Sequence, residues 1–274
     1  MIARKRFGQH FLEPAWVAKV VAAIHPTLND EFIEIGPGRA ALTTPLAAST
    51  KRVVAFEIDR DLAATLRASA APNLTVVEGD FLQSNWLSKH PPVRPIRVAG
   101  NLPYNVASPI LFKLIDLYDS GVPIDDATLM LQREVVDRLL ARPSTKEYGV
   151  LTVLIRLSAD VERLLALPPG AFRPMPKVQS ALVRLRFHSP YPSPADRSQF
   201  AAMVTALFSR RRKTVENALL AFRPADREAI SDVLRRADII PGRRPETLDV
   251  PELVRLSDTL GGSRGSGGSR GSDG

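Results

Sequence analysis

The sequence predicts a protein of 274 residues in which an α/β domain is followed by a smaller, all-helical C-terminal domain. Two observations support the α/β part. Short strands rich in valine and isoleucine alternate with helical segments of about ten residues, and a glycine turn follows the first of these strands. A third observation supports the helical part: beyond a proline-rich stretch the strand patterns disappear and apolar residues recur at helical spacing.

The α/β elements follow one another in regular order. Residues 14–24 are apolar at helical spacing, and residues 32–35 form a short strand pattern that ends at Gly36-Pro37-Gly38. Residues 52–59 predict the next strand. The later elements are a helix reaching Ala70, strands at 74–77, 96–99 and 127–131, and a helix near 109–118. Strands joined by helices predict a parallel sheet covered by helices on both faces.

A change in composition marks the second domain. Seven prolines fall between residues 168 and 194, and residues 189–194 are expected to form a linker. Ser193 and Pro194 are candidates for the N-cap and first turn of a helix. Its apolar face consists of Phe200, Met203, Val204, Leu207 and Phe208. With further helices near 230–234 and 253–260, we expect domains at 1–188 and 195–260 and a disordered Gly/Ser tail at 261–274.

Composition excludes several classes of protein. Hydrophobic residues make up 45% and charged residues 24%, the balance of a globular protein. The sequence has no cysteine, which rules out disulfide scaffolds, thiolate zinc sites, iron–sulfur clusters and cysteine nucleophiles. The four histidines are scattered without an i, i+4 pair, so no metal site is predicted.

The charge balance suggests an acidic partner. The formal net charge is 37 − 29 = +8, with a sequence pI near 10.1, as in many nucleic-acid-binding proteins. No run of about 18 apolar residues is present to span a bilayer, so we expect no membrane association and a cytoplasmic location.

The strand ends carry the candidate cofactor-binding residues. Gly36 and Gly38 lie at a strand-to-helix turn, and Ala41 stands where a dinucleotide fingerprint has its third glycine, so a cofactor without a diphosphate is favoured. Glu57 comes 21 residues after Gly36, in a position to accept hydrogen bonds from both ribose hydroxyls. Asp80 follows the third strand and is a candidate acceptor for an adenine amine. Alternatively, Glu57 and Asp80 are helix N-caps.

Asn101-Leu102-Pro103-Tyr104 follows the fourth strand and is the candidate catalytic segment. The exocyclic amine of adenine is a poor nucleophile because its lone pair is delocalised into the ring. The Asn101 side-chain oxygen and a nearby backbone carbonyl are suited to hold both amine N–H groups and to stabilise the charge that develops during transfer. Pro103 fixes the backbone, and Tyr104 is placed to stack on an extruded base. The alternative is a plain turn with a packed tyrosine.

Two clusters of cations are candidate RNA contacts. Arg210, Arg211, Arg212 and Lys213 follow the amphipathic helix, and Arg4, Lys5 and Arg6 lie near the start of the chain. Adjacent cations repel unless anions neutralise them, and backbone phosphates do so with release of counterions. Such contacts position RNA and do not read its sequence. The alternative for each cluster is a solvated surface.

These residues belong to a longer series of motifs that resembles the ribosomal RNA adenine dimethyltransferases, which use S-adenosylmethionine. The resemblance covers almost the whole chain, and the motifs occur in the family's order. They are Arg4-Lys5-Arg6-Phe7-Gly8-Gln9-His10-Phe11-Leu12, Glu34-Ile35-Gly36-Pro37-Gly38, Asn101-Leu102-Pro103-Tyr104, Phe172-Arg173-Pro174-Met175-Pro176-Lys177-Val178 and Phe208-Ser209-Arg210-Arg211-Arg212-Lys213-Thr214.

The resemblance implies a Rossmann-like, seven-stranded methyltransferase sheet, completed by late strands near 161–167 and 181–187. It maps Leu12, Gly36, Glu57, Asp80 and Asn101 onto positions that contact the cofactor. His10 replaces an asparagine in the family segment that touches the methionine end of the cofactor. Phe172 resembles the family aromatic that faces the target base opposite Tyr104. Both cation clusters become expected RNA contacts.

The resemblance further implies a function. The chain is similar to the bacterial enzymes that dimethylate two adjacent adenines near the 3′ end of small-subunit (16S) ribosomal RNA, and we expect a monomer acting on that RNA in the immature small subunit. Two other interpretations stay open: the related dimethyltransferase of large-subunit RNA, which gives antibiotic resistance, and an RNA-binding assembly factor whose methylation is secondary. DNA adenine methylation is less favoured, because its usual motif has proline in place of Leu102.

Overall fold

A computed structural model describes residues 10–68, 71–223 and 226–262. The chain divides into two compact units. One, the sheet unit, contains the residues up to Asp137 together with Ala159–His188. The other, the helical unit, contains Arg138–Ser158 and the residues from Ser189 onward.

The sheet unit is built on a mixed sheet of seven strands. Along the chain the strands of this unit are β1 (Phe11–Leu12), β2 (Glu31–Ile35), β3 (Arg52–Glu57), β4 (Leu74–Glu78), β5 (Ile96–Asn101), β6 (Ile124–Gln132), β7 (Ala159–Leu167), β8 (Phe172–Arg173) and β9 (Ser180–Phe187). The order in the large sheet is β4-β3-β2-β5-β6-β9-β7, with β1 and β8 forming a separate antiparallel pair. The strands from β4 to β6 are parallel, and β9 is antiparallel to both of its neighbours.

The predicted α/β alternation is confirmed. Each of the five strands expected from the pattern is present, and the two late strands that the family resemblance implied are β7 and β9. The pattern alone predicted only parallel strands, and the antiparallel edge is a feature it did not contain. The helices that begin in this unit are α1 (Pro14–Ile24), α2 (Thr43–Ser49), α3 (Arg60–Ala68), α4 (Trp86–Lys89), α5 (Ala107–Asp119) and α6 (Arg133–Leu140).

A buried arginine fastens the end of α1 to the sheet. Arg97 on β5 donates to the carbonyl oxygens of Ile24 at 2.8 Å and His25 at 3.1 Å, where α1 ends. The same guanidinium pairs with Asp126 at 2.9 Å and Asp30 at 2.8 Å. These carboxylates neutralise a charge that would be costly to bury alone.

The helical unit has its own hydrophobic core. Its helices are α7 (Val150–Arg156), α8 (Arg197–Ser209), α9 (Val215–Phe222), α10 (Arg227–Arg236) and α11 (Val250–Gly262). Tyr148, Val153 and Leu157 are buried in this core, and the Tyr148 hydroxyl donates to the carbonyl oxygen of Leu248 at 2.9 Å. The expectation that residues 1–188 form one domain is therefore wrong for Arg138–Ser158, whose apolar side chains complete the helical core.

Two local expectations in this unit are also corrected. Helix α8 begins at Arg197, and its N-cap is Asp196, whose carboxylate accepts a hydrogen bond from the Gln199 N–H at 2.9 Å. Ser193 and Pro194 therefore lie before the helix, because a carboxylate closer to the first turn satisfies its free N–H groups. The five predicted apolar positions of α8 are all buried. Helix α11 continues to Gly262, and the rest of the expected tail lies outside the described residues.

None of the helices in the described part of the chain has the length and apolar character needed to cross a membrane.

Candidate active site

The register of the parallel strands brings their carboxyl ends to one edge of the sheet. Ile35 pairs with both Phe56 and Gly100, so the residues that follow them, among them Glu57 and Asn101, lie at one level. The alignment of the two strands extends one residue past the end of β2, because the Gly36 N–H donates to the Phe56 carbonyl oxygen at 3.0 Å. The candidate residues, far apart in sequence, therefore meet in one place.

The turn after β2 requires glycine. Gly36 and Gly38 have φ values of +71° and +59°, in the left-handed region that favours glycine. A Cβ atom on Gly38 would lie 3.1 Å from the Phe11 ring. The Gly38 N–H donates to Oε2 of Glu57 at 2.9 Å. The turn therefore places glycine backbone, which carries no side chain, next to the Glu57 carboxylate at the end of β3.

Glu57 is a buried acceptor and not a helix cap. Its two carboxylate oxygens accept hydrogen bonds from the Gly38 N–H and the Asp59 N–H, each at 2.9 Å. Helix α3 is capped instead by Asp59, which accepts from the Asp61 N–H at 3.0 Å. Burial raises the pKa of the Glu57 carboxyl. Since each carboxylate oxygen can accept more than one hydrogen bond, Glu57 retains capacity to bind a ligand.

Glu34 is a second buried carboxyl in the same wall. It lies inside β2 with only 2% of its surface exposed. Its Oε2 has no hydrogen-bond partner within the described part of the chain. Burial raises the pKa of this carboxyl to about 8, and the negative charge of Glu57 acts in the same direction. Sequence patterns did not single out its role, although a carboxylate between apolar strand residues is a detectable signal.

Asp80 and two aromatic rings form another part of the wall. Oδ1 of Asp80 accepts a hydrogen bond from the Leu82 N–H at 2.9 Å, which stabilises a turn and leaves Oδ2 available. The rings of Phe56 and Phe81 meet edge to face with centroids 5.2 Å apart. Ile58, directly after Glu57, is 46% exposed despite its apolar side chain. Apolar surface beside acidic acceptors suits a nucleoside.

Asn101 is held in one orientation by the segment before α1. Its Nδ2 donates to the His10 carbonyl oxygen at 2.6 Å. The imidazole of His10 stacks on Tyr104, with centroids 5.4 Å apart and planes inclined by 25°. His10 Nδ1 lies 2.7 Å from the carbonyl oxygen of Pro174 and must carry the proton, because a carbonyl only accepts. Since the amide N–H is engaged, Oδ1 of Asn101 is the atom left to accept from a ligand.

One cavity collects nearly all the predicted site residues. Those lining it are His10, Leu12, Gly36, Gly38, Glu57, Asp80, Asn101, Leu102, Pro103 and Tyr104. Phe172 does not line it: its side chain is 1% exposed and lies in the hydrophobic core of the sheet unit. In this structure Phe172 therefore does not face Tyr104 across the cavity, because pairing of β8 with β1 places it beside Leu12.

The structure describes one of the two predicted RNA-contact clusters, and the residues of that cluster differ in their exposure. Arg210, Arg212 and Lys213 are exposed in the turn after α8. Arg211 is not free, since its Nε lies 3.0 Å from Oε2 of Glu246. The other predicted cluster, Arg4-Lys5-Arg6, lies outside the described residues.

Comparison with known proteins decides the family. The family model described as "Ribosomal RNA adenine dimethylase" matches residues 2–253. The chain belongs to this family. A relative in Acinetobacter baylyi, named "Ribosomal RNA small subunit methyltransferase A", is 42% identical, over 94% of this chain and 92% of the relative. The protein of the same name in Cupriavidus pinatubonensis is 41% identical, over 95% of this chain and 94% of the relative.

Solved structures agree with this assignment to the dimethylases. A dimethyladenosine transferase from Plasmodium falciparum superposes with a TM-score of 0.74 and 27% identity, covering 90% of this chain and 96% of that chain. The 23S rRNA methyltransferase ErmE gives a TM-score of 0.66 and 28% identity, covering 92% and 99%. The fold of this chain is thus shared with a protein that is named for 23S rRNA.

The raised pKa of Glu34 predicts a pH-dependent stability of the dimethylase. A carboxyl with a pKa near 4.5 when unfolded and about 8 when folded binds more protons in the folded state. Its contribution to the free energy of unfolding is complete below about pH 4.5 and is lost as the pH rises through about 8. We expect Glu34→Gln to reduce this loss, which is at most about 1.4 kcal/mol per pH unit.

Denaturant unfolding of the parent and of Glu34→Gln at several pH values between 5 and 8 checks this prediction. Glu78→Gln is the control, because Glu78 is an exposed carboxyl in the same sheet whose pKa is lowered by hydrogen bonds from Arg67 and Arg60. If the parent and Glu34→Gln lost stability in parallel across this range, Glu34 would be ionised in the folded protein.

Proposed function

We propose that this dimethylase transfers methyl groups from S-adenosylmethionine to the exocyclic amines of two adjacent adenines near the 3′ end of small-subunit ribosomal RNA. Its partner on this proposal is the immature small ribosomal subunit, which it meets as a monomer in the cytoplasm. The observation that carries the proposal is the position of Asn101: an oriented side-chain oxygen, beside Tyr104, opens into the same cavity as Glu57 and the glycine turn.

The residues of the cavity fit the cofactor. Glu34 offers a buried oxygen that has no partner among the described residues, and an ammonium group would satisfy it. Glu57 has the remaining acceptor capacity needed for ribose hydroxyls, and Asp80 has a carboxylate oxygen for an adenine amine. Gly38 has no Cβ atom, so a ligand can approach the backbone of the turn closely. Ala41, which also lines the cavity, stands where a diphosphate-binding fingerprint has its third glycine. This donor and acceptor set matches an amino acid joined to an adenosine.

The chemistry divides between cofactor and protein. When bound, S-adenosylmethionine supplies a methyl group on a positively charged sulfur, which leaves as a neutral thioether. Asn101 Oδ1 and a carbonyl oxygen of the Leu102-Pro103 segment hold the two amine protons and direct the nitrogen lone pair. These same acceptors stabilise the positive charge that develops on the amine. The alkylated amine is strongly acidic, so its proton leaves without a dedicated base.

Sequence similarity supports the small subunit as the source of RNA. The relatives named for the small subunit are 41–42% identical to this chain, whereas ErmE, named for 23S rRNA, is 28% identical.

The experiment is primer extension on ribosomal RNA from a strain that lacks the activity, with separate small and large subunits offered to the purified protein. Stops at two adjacent adenines of the small-subunit RNA are expected, and stops confined to large-subunit RNA would refute the assignment.

Glu57→Gln is expected to weaken binding of S-adenosylmethionine. Loss of a hydrogen bond to a charged acceptor costs roughly 1.5–3 kcal/mol. Glu78→Gln is a matched control, since Glu78 pairs in register with Glu57 on the adjacent strand but does not line the cavity. Calorimetry measures the affinities, and thermal unfolding without cofactor corrects for effects on folding. Binding by Glu57→Gln within twofold of the parent would disprove the ribose assignment.

Asn101→Ala is expected to slow methyl transfer by at least about a hundredfold, the scale for removing one preorganised group at a developing charge. Asn85→Ala is the control, because Asn85 is exposed and does not line the cavity. Single-turnover rates at saturating cofactor separate the chemical step from cofactor affinity. An unchanged rate would leave Asn101 without a catalytic role and would favour the assembly-factor hypothesis.

A further inference from the structure

The ring of Tyr104 is held from two directions. Tyr104 is half-buried and lines the cavity. The His10 imidazole stacks on one face of the ring, with centroids 5.4 Å apart and planes inclined by 25°. At the far end of the ring, the Tyr104 hydroxyl lies 2.9 Å from Oγ of Ser180. A stacked neighbour limits the tilt of a tyrosine ring, and a hydrogen bond to its hydroxyl fixes the direction in which the ring points.

Ser180 is a rigid anchor for this hydrogen bond. It is the first residue of β9 and is only 3% exposed. It pairs with Gln132 of β6 on one side and with Leu167 of β7 on the other. The residue before it is also fixed, because the Arg133 N–H donates to the Gln179 carbonyl oxygen at 2.9 Å. Strand pairing on both sides therefore holds the backbone that carries the Ser180 hydroxyl.

Both partners of the hydrogen bond are attached to the same strand. The Leu102 N–H, two residues before Tyr104, donates to the Met130 carbonyl oxygen on β6 at 3.3 Å. Ser180 pairs with Gln132, two residues further along β6. The sheet therefore sets the distance between the two hydroxyl groups.

Ser180 is next to the site but is not part of its surface. It does not line the cavity, so its hydroxyl is not placed to contact a cofactor or a base there. Within the described part of the chain, the hydrogen bond of its side chain goes to Tyr104. An effect of the Ser180 hydroxyl on methyl transfer would therefore have to pass through the Tyr104 ring.

We propose that Ser180 is a positioning residue for methyl transfer, whose hydroxyl holds the Tyr104 ring in the orientation on which the target adenine stacks. The inference rests on the proposed function, which supplies adenine as the substrate. A stacked base takes its plane from the ring beneath it. Transfer needs the adenine amine within reach of Asn101 and in line with the methyl group. A ring that is fixed before RNA binds therefore orients the amine.

Ser180→Ala is expected to slow methyl transfer roughly three- to tenfold at saturating cofactor and small-subunit RNA, the scale of one neutral hydrogen bond. Affinity for S-adenosylmethionine should stay at the parent value, because Ser180 does not line the cavity. The RNA concentration that gives half the maximal rate should also stay the same, since phosphate contacts supply a large share of RNA affinity. Single-turnover kinetics and calorimetry measure these quantities separately.

Ser257→Ala is the matched control. Ser257 is another fully buried serine, on α11 of the helical unit. Its Oγ has no hydrogen-bond partner within the described part of the chain, so the same atom is removed without breaking a hydrogen bond. This variant should transfer methyl groups at the parent rate. A general packing defect in Ser180→Ala would weaken cofactor binding and lower the unfolding temperature along with the rate, and that result would contradict the positioning role.

Tyr104→Phe removes the other partner of the same hydrogen bond and keeps the ring. It should slow transfer by about the same factor as Ser180→Ala, and the double variant should be no slower than Tyr104→Phe alone. Independent effects would multiply in the double variant and would overturn the proposal. A parent-like rate in either single variant would also overturn it. Because Tyr104→Phe leaves Ser180 in place, it tests the hydrogen bond even if Ser180→Ala does not fold.

The outcomes also separate this inference from the proposed function. If Ser180→Ala transfers at the parent rate, the positioning role fails while transfer to small-subunit adenines stands. Failure of the parent to methylate small-subunit RNA would instead reject the proposed function, whatever the relative rates of the variants.

Discussion

The parallel register of β2, β3 and β5 is the constraint on which the site depends. Because these strands end at one level, Gly36, Glu57 and Asn101 converge although they are separated by tens of residues in sequence. Side chains alone do not hold them there, since backbone hydrogen bonds fix each strand against its neighbour. A shift of one residue in this register would turn Glu57 and Asn101 to the opposite face of the sheet.

A second layer of contacts then sets the chemistry of individual groups. The carbonyl oxygen of His10 engages the amide N–H of Asn101 and so selects which amide atom faces a ligand. Burial raises the pKa of the Glu34 carboxyl to about 8, and one of its oxygens has no partner among the described residues. Both features need parts of the chain that are remote in sequence. The site is therefore an assembly of β1, the strand ends and the loops after them.

The sequence was sufficient for what depends on local pattern or on strand ends. Strand and helix order, the glycine turn, Glu57 and the Asn101–Tyr104 segment follow from periodicity and from the geometry of parallel strands. Features that depend on tertiary packing were missed. Helix α7 joins the helical unit because Tyr148 and Val153 complete its core, and Phe172 is buried beside Leu12. Neither contact has a local signature, because each joins segments distant in sequence.

The identity of the transferred group and of its acceptor atom tests the account most directly. Small ribosomal subunits lacking the modification are incubated with the protein and S-adenosylmethionine carrying a deuterated methyl group, and the nucleosides of the digested RNA are analysed by mass spectrometry. The account predicts N6,N6-dimethyladenosine with label in both methyl groups. Label on another nucleoside, on a ring nitrogen of adenine, or on none of the nucleosides would contradict it.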